Sequence, residues 1–133
     1  MTDYLLAGRY RLTDRIAAGG MGEVWRGEDI LLSRAVAVKL LPTGRAGDEA
    51  FLARFRAEAR YAASLSHPGI ARVYDYGESA EFGGAYLILE LVNGEPLSAI
   101  LARAGRLSAD PTLDIVGQAA RALDGASGGH RAP

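Results

Sequence analysis

Apolar positions change period along the chain, and the changes mark its elements. Residues 10–16, 23–28 and 35–41 are short extended runs. They are interrupted by Ala17-Ala18-Gly19-Gly20-Met21-Gly22 and by a turn at residues 31–34, and Pro42 follows them. Extended runs separated by turns predict an antiparallel meander. Residues 48–65 switch to a helical period, with Phe51, Phe55, Ala62 and Leu65 on one face and Arg56 and Arg60 opposite. Ser66-His67-Pro68-Gly69 stops that helix, and residues 70–76 and 85–92 predict two more strands around a turn at 77–84. Residues 96–104 read as a short helix halted by Gly105. Ser108 is a suitable N-cap, with Pro111 in the next turn, for a helix reaching about Leu123. Residues 125–133 are small and polar and are expected to be disordered. The order is three strands, a helix, two strands, then helices: an α+β chain.

Three positions in this frame suggest chemistry. Gly19, Gly20 and Gly22 let backbone N–H groups approach phosphate oxygens without a side chain between them. A P-loop would continue into Gly-Lys-Ser/Thr, and a dinucleotide-binding loop would open into a helix. Here Gly22 is followed by Glu23-Val24-Trp25-Arg26-Gly27, whose Val and Trp favour a strand. A glycine-rich hairpin turn with no ligand satisfies the same pattern.

Lys39 ends the run Ala35-Val36-Ala37-Val38-Lys39. With period two, Ala37 and Lys39 share one face while Val36, Val38 and Leu40 share the apolar one. A small residue beside a cation leaves room for a flat ring next to a phosphate anchor, although a strand Lys commonly just faces water. Glu58 falls within about 60° of the apolar stripe at ~100° per residue. An acid placed there needs a partner against desolvation. Arg54, four residues earlier, would give a surface pair; Lys39 would explain the inward placement as well.

Composition narrows the field. The 133 residues suffice for one modest domain. The net charge is -1 with both signs mixed and no basic stripe, which argues against nucleic acid or an anionic membrane as partner. The absence of cysteine excludes disulfides and thiolate metal sites. The first ten residues lack the form of a secretory signal, and the apolar stretch at residues 85–89 is too short to span a bilayer. A cytoplasmic location is expected. The fifteen basic residues are fourteen Arg and one Lys, so Lys39 stands where a compact ammonium rather than a planar fork is wanted, or stands there by chance.

Taken together, Ile16-Ala17-Ala18-Gly19-Gly20-Met21-Gly22-Glu23-Val24, then Val36-Ala37-Val38-Lys39, then Glu58, then His67-Pro68 resemble bacterial serine/threonine protein kinases of the eukaryotic-like type. The resemblance implies an ATP-binding N-lobe at residues 10–92, made of a five-stranded antiparallel sheet and one helix. Residues 1–9 would precede it, and residues 93–124 would supply two helices of an incomplete C-lobe. It implies that Gly19, Gly20 and Gly22, with Ala18 and Met21, fold over the ATP phosphates, and that Ile16, Val24 and Ala37 pack on adenine. Lys39 would bind the α- and β-phosphates, held by Glu58. Leu89 would be the gatekeeper, and the backbone of Glu90 and Val92 would bond adenine.

Two departures from the family pattern alter the expectation. Ala17 replaces the first glycine of the loop, and alanine resists positive φ. The catalytic His-Arg-Asp segment, its Asn and the Asp-Phe-Gly metal site have no counterpart; His130-Arg131 is followed by Ala132 and Pro133. No catalytic Asp and no metal ligand are therefore assigned, and Mg²⁺ would enter only with a supplied C-lobe. The expected function is the ATP-binding part of a kinase acting on protein Ser/Thr, inactive as these 133 residues alone. The alternatives are a pseudokinase-like module docking on another kinase through its Glu58 helix, and a dinucleotide-binding enzyme, which requires a helix directly after Gly22.

Overall fold

The computed structural model describes residues 4–19, 22–41, 49–79 and 84–129. They divide into two compact units, the first made of residues 1–64 and 72–91 and the second of residues 65–71 and 92–133.

The first unit is a six-stranded antiparallel sheet with one helix. Its strands are β1 (Tyr4–Leu6), β2 (Tyr10–Gly19), β3 (Gly22–Asp29), β4 (Arg34–Leu40), β5 (Val73–Ser79) and β6 (Gly84–Glu90), in the spatial order β1-β2-β3-β4-β6-β5. Helix α1 (Glu49–Ser64) follows β4. Five strands lie near the predicted runs. The sixth, β1, falls in the segment read as an extension before the domain, and Leu6 at its end is completely buried. Strand β5 starts and ends three residues later than the run at 70–76.

Period-two alternation splits the core into two clusters, one for each face. On one face, Leu6, Tyr10, Leu12, Val36, Val38, Tyr86 and Ile88 pack together, with Trp25 and Leu40 against them. On the other, Leu52, Phe55 and Ala59 of α1 pack on Ala85 and Leu87, joined by Leu41 and flanked by Phe51, Val73, Tyr76 and Leu89. The Phe55 and Tyr76 rings meet at 5.7 Å. The inward stripe of α1 is therefore Leu52, Phe55 and Ala59, not the Phe51–Phe55–Ala62–Leu65 face expected from the sequence.

A half-buried ion pair ties β1, β2 and the β3–β4 turn together. Asp29 is 1 % exposed. Its carboxylate accepts from Arg9 Nε at 3.0 Å and Nη2 at 2.9 Å, and from the backbone N–H of Leu31 and Leu32. These bonds, Arg9 foremost, hold its pKa at about 2 against the opposing effect of burial. Tyr10 donates its hydroxyl to Asp75 at 2.7 Å, which links β2 to the far edge strand.

The second unit carries α2 (Leu97–Ala104) and α3 (Ala109–Gly129). Gly105, at φ +80°, ends α2 and returns its N–H to Leu101. Helix α3 starts after Ser108, whose carbonyl accepts from the Thr112 hydroxyl and N–H. It continues to Gly129, so residues 125–129 are helical where disorder was expected; residues 130–133 lie outside the described residues. Gly125 explains the error. A Cβ on it would come within 2.7 Å of the His67 ring, so this glycine permits close approach of the 65–71 segment and does not stop the helix.

Candidate nucleotide-anchoring site

The glycine segment is the tip of the β2–β3 hairpin. Gly19 pairs with Gly22, Ala18 with Glu23 and Ala17 with Val24. Gly22 has φ +113°, a region that favours glycine. Gly20 and Met21, between these strands, lie outside the described residues. Ala17 is an ordinary strand residue: the described non-glycine residues with positive φ are Ala7 and Ser33. The stiffening expected of alanine therefore has no backbone cause at this position. Ile16 is the extra residue of a bulge between Arg15 and Ala17, and it is 53 % exposed.

From Gly22 the chain goes directly into β3. That strand removes the dinucleotide-binding alternative, which needs a helix there.

Lys39 lies half-buried in β4, opposite Val24 on one side and Leu87 on the other. Cross-strand partners point to the same face. One lateral row therefore reads Ala17, Val24, Lys39, Leu87 and Tyr76 across five strands. The adjacent row reads Arg26, Ala37, Leu89 and Val73. Ala37 is 8 % exposed, so Lys39 has a small neighbour on its own face, as the alternation implied. Leu87 was not singled out in the sequence, although counting back two residues from Leu89 would have found it.

Glu58 is not where the helical period suggested. It is exposed on α1 and forms no ion pair with Lys39 or Arg54 among the described residues. The cause is geometric. With Leu52, Phe55 and Ala59 inward, the buried direction is turned about 60° from the stripe inferred from the sequence, which leaves position 58 on the flank. Arg56, read as lying on the polar side, instead bonds Glu78 of β5 at 3.0 Å.

At the end of β6, Glu90 donates its N–H to the Arg72 carbonyl at 2.8 Å, and its side chain accepts from the Arg72 N–H at 3.1 Å. Leu89 and Glu90 are half-buried. Val92, in the second unit, is 68 % exposed. No group of His, Asp or Glu among the described residues is arranged to hold a metal ion.

The hairpin, the lysine strand and the helix form a known arrangement. The family model for the protein kinase domain matches residues 10–125. The chain belongs to the protein kinase family. Bacterial kinases are among its relatives. It is 56% identical over 121 residues to the serine/threonine-protein kinase PknA of Mycobacterium tuberculosis, covering 89% of this chain and 28% of that protein. It is 42% identical to PknB of Mycobacterium leprae over 90% of this chain and 20% of that one. Identity to PrkC of Bacillus subtilis is 39%, over 89% of this chain and 18% of the relative. Among solved structures, the kinase domain of M. tuberculosis PknI superposes with a TM-score of 0.80 at 30% identity, over 95% of this chain and 50% of that one. The chain thus spans 18–28% of the length of these curated relatives and half of the solved domain. No helix among the described residues is long and apolar enough to cross a membrane.

Proposed function

We propose that this chain is the ATP-anchoring part of a cytoplasmic serine/threonine protein kinase that transfers phosphoryl groups from ATP to protein. The reading rests chiefly on the row Ala17–Val24–Lys39, which sets the one ammonium side chain of the protein beside a glycine hairpin within a chain of this family. Backbone N–H groups at Gly19 to Gly22 cover the phosphates, Val24, Ile16 and Ala37 line the adenine, and Lys39 neutralises the α- and β-phosphates. The N–H of Glu90 is committed to Arg72, so an adenine contact from this residue uses its carbonyl. Val92 supplies a second backbone group, and Leu89 limits the depth of the pocket.

Glu58 pairs with Lys39 only after α1 rolls or shifts, which makes the helix a two-state element. Mg²⁺, when bound, neutralises charge on the transferring phosphoryl group. Its ligands in the family have no counterpart in these 133 residues. The chain alone therefore binds nucleotide weakly and transfers nothing.

The test is a chimaera joining this chain to the rest of the PknA kinase domain, assayed with Mg²⁺-ATP and a protein substrate. Phosphorylation is expected, with kcat/KM falling at least about a hundredfold for Lys39→Met. An active chimaera indifferent to that change defeats the assignment, as does tight Mg²⁺-dependent nucleotide binding by the chain alone for its second half. Glu58, exposed and without an ion-pair partner among the described residues, favours one competing reading, a pseudokinase-like module that docks on a kinase partner through α1. Capture of intact PknA by the chain, lost on Glu58→Arg, would support it.

A further inference from the structure

Residues 65–71 join α1 to β5 along the chain and lie, with α3, in the second unit. His67 and Pro68 belong to the family pattern, yet nucleotide anchoring uses neither.

His67 is half-buried, and its ring has contacts on two sides. Within the segment, Nδ1 accepts the backbone N–H of Gly69 at 2.9 Å, and the His67 carbonyl accepts that of Ile70 at 3.0 Å. Towards α3, the ring lies so close that a Cβ at Gly125 would stand 2.7 Å from Cδ2 and 3.2 Å from Cγ. Gly69 meets the same helix about a turn earlier, where a Cβ on it would stand 2.9 Å from that of Ala122. Two glycines and one hydrogen bond therefore fix the place of the imidazole.

That hydrogen bond exists in one charge state alone. Nδ1 accepts only while it carries no proton, so the neutral ring holds its hydrogen on Nε2. A second proton makes both nitrogens donors and sets Nδ1–H against the Gly69 N–H. Flipping the ring would bring Cδ2 to Gly69, and a carbon accepts nothing. The segment holds no other titratable side chain. On α3, the helix packed against the ring, Arg121 lies one turn before Gly125 and carries its guanidinium back over Gly117. Asp124 points about 100° around the helix from Gly125. Neither bonds His67, whose Nε2 has no hydrogen-bond partner among the described residues.

We propose that His67 is a proton-operated clasp: its neutral ring fastens residues 65–71 on α3, and its protonation releases them. The segment is the covalent link from α1 to β5, so release also lengthens the free tether behind α1.

The test is nuclear magnetic resonance of the whole, isotopically labelled chain at about pH 8 and about pH 5, limits between which an ordinary imidazole changes charge. Asp29, which titrates at about 2, keeps its ion pair throughout. At the upper limit the His67 ring should carry its hydrogen on Nε2. At the lower one, protection of the Gly69 and Ile70 amides, corrected for the intrinsic pH dependence of exchange, should fall about fivefold, the worth of one neutral hydrogen bond. His67→Asn supplies an acceptor that does not titrate, since an Asn side chain takes the N–H two residues on. Its Gly69 amide should be equally protected at both limits, and that of His67→Ala at neither. His130→Ala, which removes the only other histidine, should match the wild type. A hydrogen on Nδ1 of the neutral ring overturns the proposal. So does wild-type Gly69 protection that stays the same at both limits, or a loss in acid that His67→Asn shares.

Discussion

Gly77 of β5 sits directly opposite Tyr86 of β6, and the tyrosine ring lies over its backbone. A Cβ added at Gly77 would overlap the Tyr86 ring, at 2.8 Å from Cε1 and closer still to the atoms at its tip, where ordinary contact begins near 3.4 Å. The ring has little freedom to yield. Tyr86 is 6 % exposed and meets Tyr10 edge-on at 6.3 Å within the core cluster. Gly77→Ala therefore over-packs the core, at about 1–3 kcal/mol. It also breaks the aromatic pair, worth about 0.5–1.5 kcal/mol more, for a total loss of ~1.5–4.5 kcal/mol. Tyr86→Ala alone removes a large core side chain and costs about 3–5 kcal/mol. With the ring gone, the added methyl meets open space, so Gly77→Ala in that background should cost under ~0.5 kcal/mol. Urea titrations followed by the fluorescence of Trp25, the single tryptophan, give all four free energies. A coupling of at least ~1 kcal/mol is expected. Equal losses from Gly77→Ala in both backgrounds would show that the ring does not occupy this space.

Further expectations concern other parts of the structure. Asp29 titrates near 2, below the ordinary 3.8, because Arg9 and two backbone N–H groups favour its ionised form. The stability it contributes is thus complete above pH ~4 and disappears as the pH falls towards 2. Urea midpoints of the wild-type chain should converge on those of Asp29→Asn across that interval, and a gap that stays constant would refute the ion pair as cause. Phe55→Ala should destabilise the first unit by about 3–5 kcal/mol and free α1, seen as faster amide exchange from Leu52 to Ala59; slow exchange would mean that other contacts hold the helix. Gly125→Ala pushes against the His67 ring and should cost about 1–3 kcal/mol. The amide of Gly69, which donates to His67 Nδ1 at 2.9 Å, should then lose protection.

Most of the sheet was legible because strand periodicity is insensitive to small errors: Val36, Val38, Ala37 and Lys39 fall on the faces that alternation assigns. The glycine hairpin was legible from the Val and Trp that follow it. A helix is less forgiving, since its inward direction is an average over several residues. Leaving Leu52 out of the average and counting Ala62 and Leu65 turned the inferred face towards Glu58. The Arg9–Asp29 pair was invisible for a different reason. Its partners are twenty residues apart, and only the tertiary pairing of β1, β2 and β3 brings them together. An aspartate opening the Asp29-Ile30-Leu31-Leu32-Ser33 turn was the one local hint. The length of α3 was missed because Gly125 was read for its flexibility when its significance is its small size.

Arg elsewhere, Lys once: the consequence is chemical. Apart from the N-terminus, the molecule offers a single primary amine for acylation, and Val24 and Leu87 flank it on the sheet. An amine-reactive ester would therefore derivatise one internal position, and its rate there would report how often the β3–β4–β6 surface admits a reagent. Isotopic labelling of lysine would give one side-chain resonance, a spectroscopic reporter obtained with no substitution at all.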